Sequence, residues 1–399
     1  MLSQRVKNLK ASPTLALAAK AKELKAAGKD VISLSVGEPD WDTFESIKAA
    51  GIKAIQEGQT KYTPASGTPE LRKAIAIQTE KEVGIKYSES EVTVSTGGKF
   101  VIFSALQSTI DPGDEVLIPA PYWVSYPDMV ELAGGVPKIV QTSPENRFKM
   151  TTKELESCLS SKTKMLIINS PSNPTGEIYS LAELKSIVEV LKKYPRVIVM
   201  SDDIYNRLVF TSEGIAPHLL HVEPSFKSRT LIINGVSKTY SMTGWRLGWA
   251  LGPSEVISAM NRYQSQSASC ASSITQAAAF QALTGSQEEL SVALKKLKVR
   301  RDFVFTELQK VSGFQVTEPQ GAFYIWPNIS SFFGKSFNGL KINGSKDFAN
   351  ALLEDQMVVT VPGVEFGQDI CLRLSYALEE SRMQEAIERI QRFTEKVHG

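Results

Sequence analysis

Four short apolar runs constrain this chain more than any other feature: Glu115-Val116-Leu117-Ile118-Pro119, Lys164-Met165-Leu166-Ile167-Ile168, Val197-Ile198-Val199-Met200 and Leu231-Ile232-Ile233. Each is short, continuous and bounded by turn residues, the pattern of a buried strand. Unbroken apolar character fits parallel strands covered on both faces. Helical patterns lie between many of the strands, among them Phe100 to Ile110 and Leu181 to Tyr194. Each run then delivers polar residues: Pro121-Tyr122-Trp123, Asn169 to Gly176, Ser201-Asp202-Asp203-Ile204-Tyr205, and Asn234-Gly235-Val236-Ser237-Lys238. In an open α/β sheet, ligands bind outside the C-terminal ends of the strands. Those polar ends are therefore the candidate site.

At 399 residues the chain exceeds one compact core, so two domains are expected, possibly interleaved. Before the four runs come a helix over Leu15 to Ala27, a short strand over Val31 to Val36, and helices over Phe44 to Glu57 and Glu70 to Val83. After them, a long amphipathic stretch from Ser286 to Val311 leads to a second α/β region. It holds a helix near Ser345 to Asp355, strands over Val358 to Val361 and Cys371 to Ser375, a loop over Val364 to Gly367, and a last helix from Glu379 to Val397. A net charge of +2 leaves no electrostatic footprint for nucleic acid or an anionic membrane. No run is long enough to span a bilayer, and the basic start from Met1 to Lys10 lacks the apolar core of a signal peptide, so the cytoplasm is the expectation. Cys158, Cys270 and Cys371 form no disulfide framework or zinc spacing, and His218 and His221 in a Pro-flanked loop read as solvated rather than metal-binding. No metal is expected.

Chemistry concentrates after Leu231-Ile232-Ile233. Lys238 stands just past a strand end, and Arg246 follows eight residues on. A planar guanidinium can make two charge-assisted bonds to a phosphate. A lysine able to form an imine beside such an arginine is the minimum set for pyridoxal phosphate. The same residues also suit a surface loop with two ordinary cations. Upstream, Thr96-Gly97-Gly98-Lys99 joins a strand to a helix start, which aims backbone N–H groups at an anion. The spacing is not that of a P-loop, because no glycine stands five residues before a Gly-Lys pair followed by Ser or Thr.

Taken together, Gly37-Glu38-Pro39-Asp40, Asn169…Asn173-Pro174-Thr175-Gly176, Asp202…Tyr205, Ser237-Lys238, Gly244-Trp245-Arg246-Leu247-Gly248 and Arg373-Leu374-Ser375 give a resemblance over nearly the whole chain. The chain resembles the bacterial-type aspartate aminotransferases among fold-type I pyridoxal 5'-phosphate enzymes. The resemblance implies an α/β fold with a mostly parallel seven-stranded sheet in a large domain, about residues 50–293. A smaller α/β domain would combine residues 1–49 with 294–399. It further implies that Lys238 carries the cofactor and moves the substrate proton, while Asp202 pairs with the pyridine nitrogen. Tyr205 and Asn173 would bond the ring's phenolic oxygen, and Trp123 would cover the ring. The phosphate would be held by Arg246, the backbone of Gly98 and Lys99, and Tyr62 from a second subunit. Arg373 would grip the substrate α-carboxylate, helped by Asn173 and the Gly37 backbone, and Lys99 would reach a distal carboxylate. Phe44, Asp203 and Phe100 depart from the family's usual proline, glutamate and glutamine, and Phe100 adjoins the specificity lysine.

The expected activity is ping-pong transamination by a homodimer with shared active sites. Aspartate would give its amine in one half-reaction, and 2-oxoglutarate would take it in the next. Alternatives on the same fold are an aromatic or prephenate aminotransferase, a C–S lyase, or a ligand-sensing regulatory domain. Such regulators carry an added N-terminal DNA-binding domain, which is not expected where the small domain begins almost at once.

Overall fold

A computed structural model describes residues 1–7, 9 and 13–398. Of the N-terminal basic run, Asn8 and Lys10 lie outside the described residues. The centre is a seven-stranded sheet of β1 (Val92–Ser95), β2 (Glu115–Pro119), β3 (Val136–Val140), β4 (Thr163–Asn169), β5 (Ile198–Asp202), β6 (Thr230–Gly235) and β7 (Gly248–Leu251). Its spatial order is β1-β7-β6-β5-β4-β2-β3. The pairs from β3 through β2, β4 and β5 to β6 are parallel, and β7 runs antiparallel to both β6 and β1.

Strand alternation builds the two cores. Val116, Ile118, Met165, Ile167, Leu231 and Ile233 face one side, with helices Gly98–Thr109 and Ser254–Ser265. Leu117, Leu166, Ile168 and Ile232 face the other, with helices Pro69–Val83, Leu181–Leu191 and Ser273–Thr284. Successive side chains point to opposite faces of a sheet, so a strand covered on both sides needs apolar residues at every position. That accounts for the unbroken runs.

A third core gathers Ile32 and Leu34 with residues from Leu297 to Val397. There Ile32–Ser33 pairs in parallel with Val358–Val359, while Val361–Pro362, Leu372–Ser375 and Tyr324–Ile325 form an antiparallel sheet. Helices Ser345–Gln356 and Glu380–Glu395 pack here, as does the long helix Glu288–Leu308. The N-terminal helix Pro13–Ala26 places Leu17, Ala21 and Leu24 against Val31 and Val359.

Two expectations need correction. The segment read as a loop over Val364 to Gly367 is mostly a short 3-10 helix, Gly363–Phe366, because Phe366 is fully buried and draws the turn inward. His218 is not solvated: it is 5% exposed, and its Nδ1 accepts from Leu220 N at 3.1 Å to cap the turn Leu219–Val222. Burial drives its pKa down to about 3, with His221 a lesser cause. His221 is also engaged with backbone, at the Glu82 carbonyl.

Candidate active site

The strand ends open into a cavity of about 450 Å³. Its walls include Gly37, Gly98, Lys99, Trp123, Asn173, Asp202, Tyr205, Lys238, Arg246 and Arg373. Ten of the eleven residues singled out from the sequence thus meet in one place. Tyr62 is the exception: it is 92% exposed and lies in a separate surface hollow with Lys61 and Cys270.

Register explains much of the convergence. Asn169 and Asp202 are partners at the ends of β4 and β5, and Asn169 Nδ2 donates to the Asp202 carbonyl at 2.8 Å. The Asn169 Oδ1 accepts from Asn173 N at 2.8 Å, which fixes the turn that presents the Asn173 side chain. Asp202 is 4% exposed; it accepts from Tyr126 Oη at 2.5 Å and from Ile204 N at 3.3 Å. Burial raises its pKa to about 6, against the pull of those two donors and of Lys238.

Asp203 does not line the cavity. It accepts from Ser201 Oγ at 2.6 Å and faces His218 Nε2 at 3.5 Å, and burial pushes its carboxyl well above the usual range. Because His218 Nδ1 accepts a backbone proton, the ring's own proton sits on Nε2, aimed at Asp203.

Lys238 follows β6, and its Nζ donates to the Gly37 carbonyl. Burial lowers its pKa to about 8; Glu38 opposes this, Arg373 and Arg246 reinforce it, and Asp202 opposes it again. A partly neutral amine near pH 7 is what a nucleophile and proton carrier requires.

Arg246 has φ 54, and its guanidinium donates to the Thr243 carbonyl at 2.8 Å. Gly97, at φ 91, begins the helix Gly98–Thr109 without a side-chain cap. A Cβ on Gly97 would stand 2.6 Å from the Arg246 guanidinium, so glycine is required for the approach. Gly248 of β7 likewise packs on Gly98, where a Cβ would meet its backbone N at 2.5 Å. An uncapped helix start beside an arginine with no carboxylate partner among the described residues is suited to hold an anion.

Arg373 is 2% exposed, with no carboxylate at ion-pair distance among the described residues. It donates to Asn173 Oδ1 at 3.1 Å and to the Ser35 carbonyl at 2.6 Å, lies over the Tyr324 and Phe366 rings, and leaves its Nε without a partner. A buried cation lacking a counter-charge is costly unless a ligand supplies one.

Lys99 Nζ lies 5.0 Å from the centre of the Trp123 ring. Partial burial and the Arg246 charge hold its ammonium below the usual value, with Asp128 opposing. Phe100 is not among the cavity residues; its ring packs on Phe103 at 6.0 Å. The sequence reading missed two phenols, Tyr126 on Asp202 and Tyr324, whose hydroxyl lies 3.0 Å from that of Tyr205. Position beside Trp123 was the only signal for Tyr126, and it fits a core phenol as well.

A buried lysine, a buried carboxylate, an uncapped helix start beside one arginine and a second, buried arginine thus converge at the ends of a seven-stranded sheet, a set suited to holding a phosphate-bearing group and an amino-acid carboxylate. The profile of the family "Aminotransferase class I and II" matches residues 29–390, and the chain belongs to that family. It is similar to the aspartate/prephenate aminotransferase of Cereibacter sphaeroides, at 49% identity over 393 residues and 98% of each chain. Among solved structures, the aspartate aminotransferase from Rhizobium meliloti superposes with a TM-score of 0.96 at 41% identity, covering 100% of this chain and 99% of that one. The Thermus thermophilus aspartate aminotransferase with maleate gives 0.92 at 38% identity, covering 98% and 99%. The chain is an enzyme that performs transamination.

Proposed function

We propose that this aminotransferase uses pyridoxal 5'-phosphate to move the amine of L-aspartate to 2-oxoglutarate. The observation that carries this reading is Arg373, buried without a counter-ion among the described residues in the same cavity as Lys238 and Asp202. Maleate, solved together with the Thermus thermophilus enzyme, is a dicarboxylate, as aspartate and glutamate are, and supports a two-carboxylate site.

The residues fit the cofactor. Arg246, the Gly98 and Lys99 amides and the space that Gly97 keeps clear suit a phosphate ester; Trp123 offers a flat face; Asp202 offers a buried carboxylate for a ring nitrogen. When bound, the cofactor supplies an aldehyde that captures amines and a ring that accepts electron density from the substrate carbon. Arg373 takes the substrate α-carboxylate in its unfilled donor set, and Asn173 holds that guanidinium in place. Lys238 Nζ, its pKa lowered to about 8, removes the substrate Cα proton and later returns one. Asp202 stays charged above about pH 6 and holds the ring-nitrogen proton through the reaction. Lys99 meets the distal carboxylate.

Prephenate is a second acceptor worth testing, because relatives such as that of Cereibacter sphaeroides are named for it. It too is a dicarboxylate, so Lys99 and Arg373 can hold both ends. Aspartate, glutamate, phenylalanine and prephenate compared by single-turnover absorbance will decide the range. Dicarboxylates should react fastest, and a clear preference for phenylalanine would overturn the assignment.

The reading includes a homodimer. Exposed Tyr62, away from its own cavity, is suited to complete the phosphate cradle of a partner subunit. An active monomer in light scattering would refute this. It also takes residues 50–293 as the cofactor-binding domain, with 1–49 and 294–399 forming the small one. Three free cysteines, Cys371 among them buried, accord with a reducing cytoplasm.

A further inference from the structure

Among the described residues, Glu38 is the one acidic side chain besides Asp202 on the cavity wall. A carboxylate is out of place where phosphate and substrate carboxylates are to be bound. Its neighbours suggest a use. The Glu38 Oε2 accepts from Thr243 Oγ1 at 2.7 Å, although 205 residues separate the two. The carbonyl of Thr243 is the acceptor that holds the Arg246 guanidinium, at 2.8 Å. On the other side, Glu38 directly follows Gly37, whose carbonyl accepts from Lys238 Nζ. One short segment thus contacts Lys238 directly and reaches Arg246 through Thr243.

We propose that Glu38 is a positioning residue: its oxygen anchors Thr243, and through it Arg246, while its charge lies one residue from the carbonyl that the Lys238 amine contacts. The proposal rests on the reading that Arg246 holds the cofactor phosphate and Lys238 attaches the cofactor. The two effects separate chemically. Anchoring needs only an acceptor oxygen, which an amide also provides; the effect on Lys238 needs the negative charge. The cavity wall carries Glu38, Asp202, Arg373, Arg246 and Lys99 besides Lys238; Glu38 and Asp202 favour its ammonium, and Arg373 and Arg246 disfavour it. Removing Glu38's charge leaves the two arginines opposed by Asp202 alone. The neutral amine is then favoured, and the pH at which Lys238 becomes reactive falls further below its usual value. The carboxylate therefore restrains attachment at neutral pH while it steadies the phosphate loop.

The test uses cofactor-free full-length protein, with pyridoxal 5'-phosphate and pyridoxal as probes. The ratio of their dissociation constants reports the phosphate cradle alone. Thr243→Val should shrink that ratio by roughly 3- to 10-fold, the range for one lost hydrogen bond, and Thr243→Ser should restore it. Glu38→Gln should leave the ratio nearly unchanged but move the midpoint of the attachment rate to lower pH. An unchanged ratio in Thr243→Val, or an unmoved midpoint in Glu38→Gln, would overturn the proposal. If wild-type protein itself fails to prefer the phosphate ester, the assignment of Arg246 fails instead. Thermal melting of each variant separates these outcomes from loss of fold.

Discussion

Replacing Tyr126 by phenylalanine removes one oxygen from a fully buried site, and its effect can be estimated from the contacts of Asp202. That carboxylate titrates near pH 6 because burial outweighs three stabilising partners: the Tyr126 hydroxyl at 2.5 Å, the Ile204 N–H at 3.3 Å, and the Lys238 charge. The phenol is the shortest of these. A hydrogen bond to a charged group contributes about 1.5–3 kcal/mol, and one pH unit corresponds to ~1.4 kcal/mol. Tyr126→Phe should therefore raise the Asp202 midpoint by roughly one to two units, taking it through neutrality. Asp203 cannot take over, since it points to Ser201 and His218. Cofactor binding to the variant should then weaken at pH 7 and recover near pH 9, whereas wild type should bind tightly from just above pH 6. Carbon-13 NMR of labelled aspartates gives the midpoint directly. If Asp202 in Tyr126→Phe still titrates at the wild-type pH, the reasoning fails, and burial alone sets its charge.

Other outcomes follow from the same geometry. Asp202→Asn keeps an acceptor for Tyr126 but loses the charge, so kcat should fall by roughly 1000-fold, about three steps of ~1.4 kcal/mol. Turnover at the wild-type rate would remove Asp202 from the mechanism. Lys99→Ala should lower kcat/KM for aspartate by roughly 10- to 1000-fold and hardly change phenylalanine, since a charge-assisted bond contributes about 1.5–3 kcal/mol. An equal loss for both would move Lys99 to the phosphate. His218 is held neutral in the fold, with its pKa lowered from 6.5 to about 3. Its contribution is fully present above pH 6.5 and is lost as pH falls towards 3, up to roughly 5 kcal/mol as an upper bound. Thermal melts should show that acid limb flattened in His218→Gln, and an identical limb would assign acid sensitivity elsewhere.

The sheet was legible where burial leaves no ambiguity. Runs such as Met165-Leu166-Ile167-Ile168 can be little else than strands covered twice, and their polar ends marked the site. β7 was not legible: it is four residues long, and its start, Gly248, reads as part of the glycine-flanked loop around Arg246. The edge strand β3 escaped because Val136 is half exposed and Pro137 interrupts the pattern. Charged site residues stood out because a lysine or arginine after a buried strand is unusual. The phenols Tyr126 and Tyr324 did not, since a tyrosine in a core needs no function, and only the fold brings Tyr126 to Asp202. His218 was misjudged for the converse reason: a proline-flanked loop suggests solvent, whereas tertiary packing buries it against Asp203.

Every role assigned to this cavity depends on which amine captures the cofactor aldehyde. Three lysines compete: Lys238, Lys99 on the cavity wall and Lys61 beside Tyr62. At its value of about 8, roughly a tenth of Lys238 is neutral at pH 7. Borohydride reduction of the protein with its cofactor, followed by peptide mapping, identifies the lysine in one measurement. The account predicts a single modified peptide bearing the label on Lys238, whereas a label on Lys99 or Lys61 would contradict it.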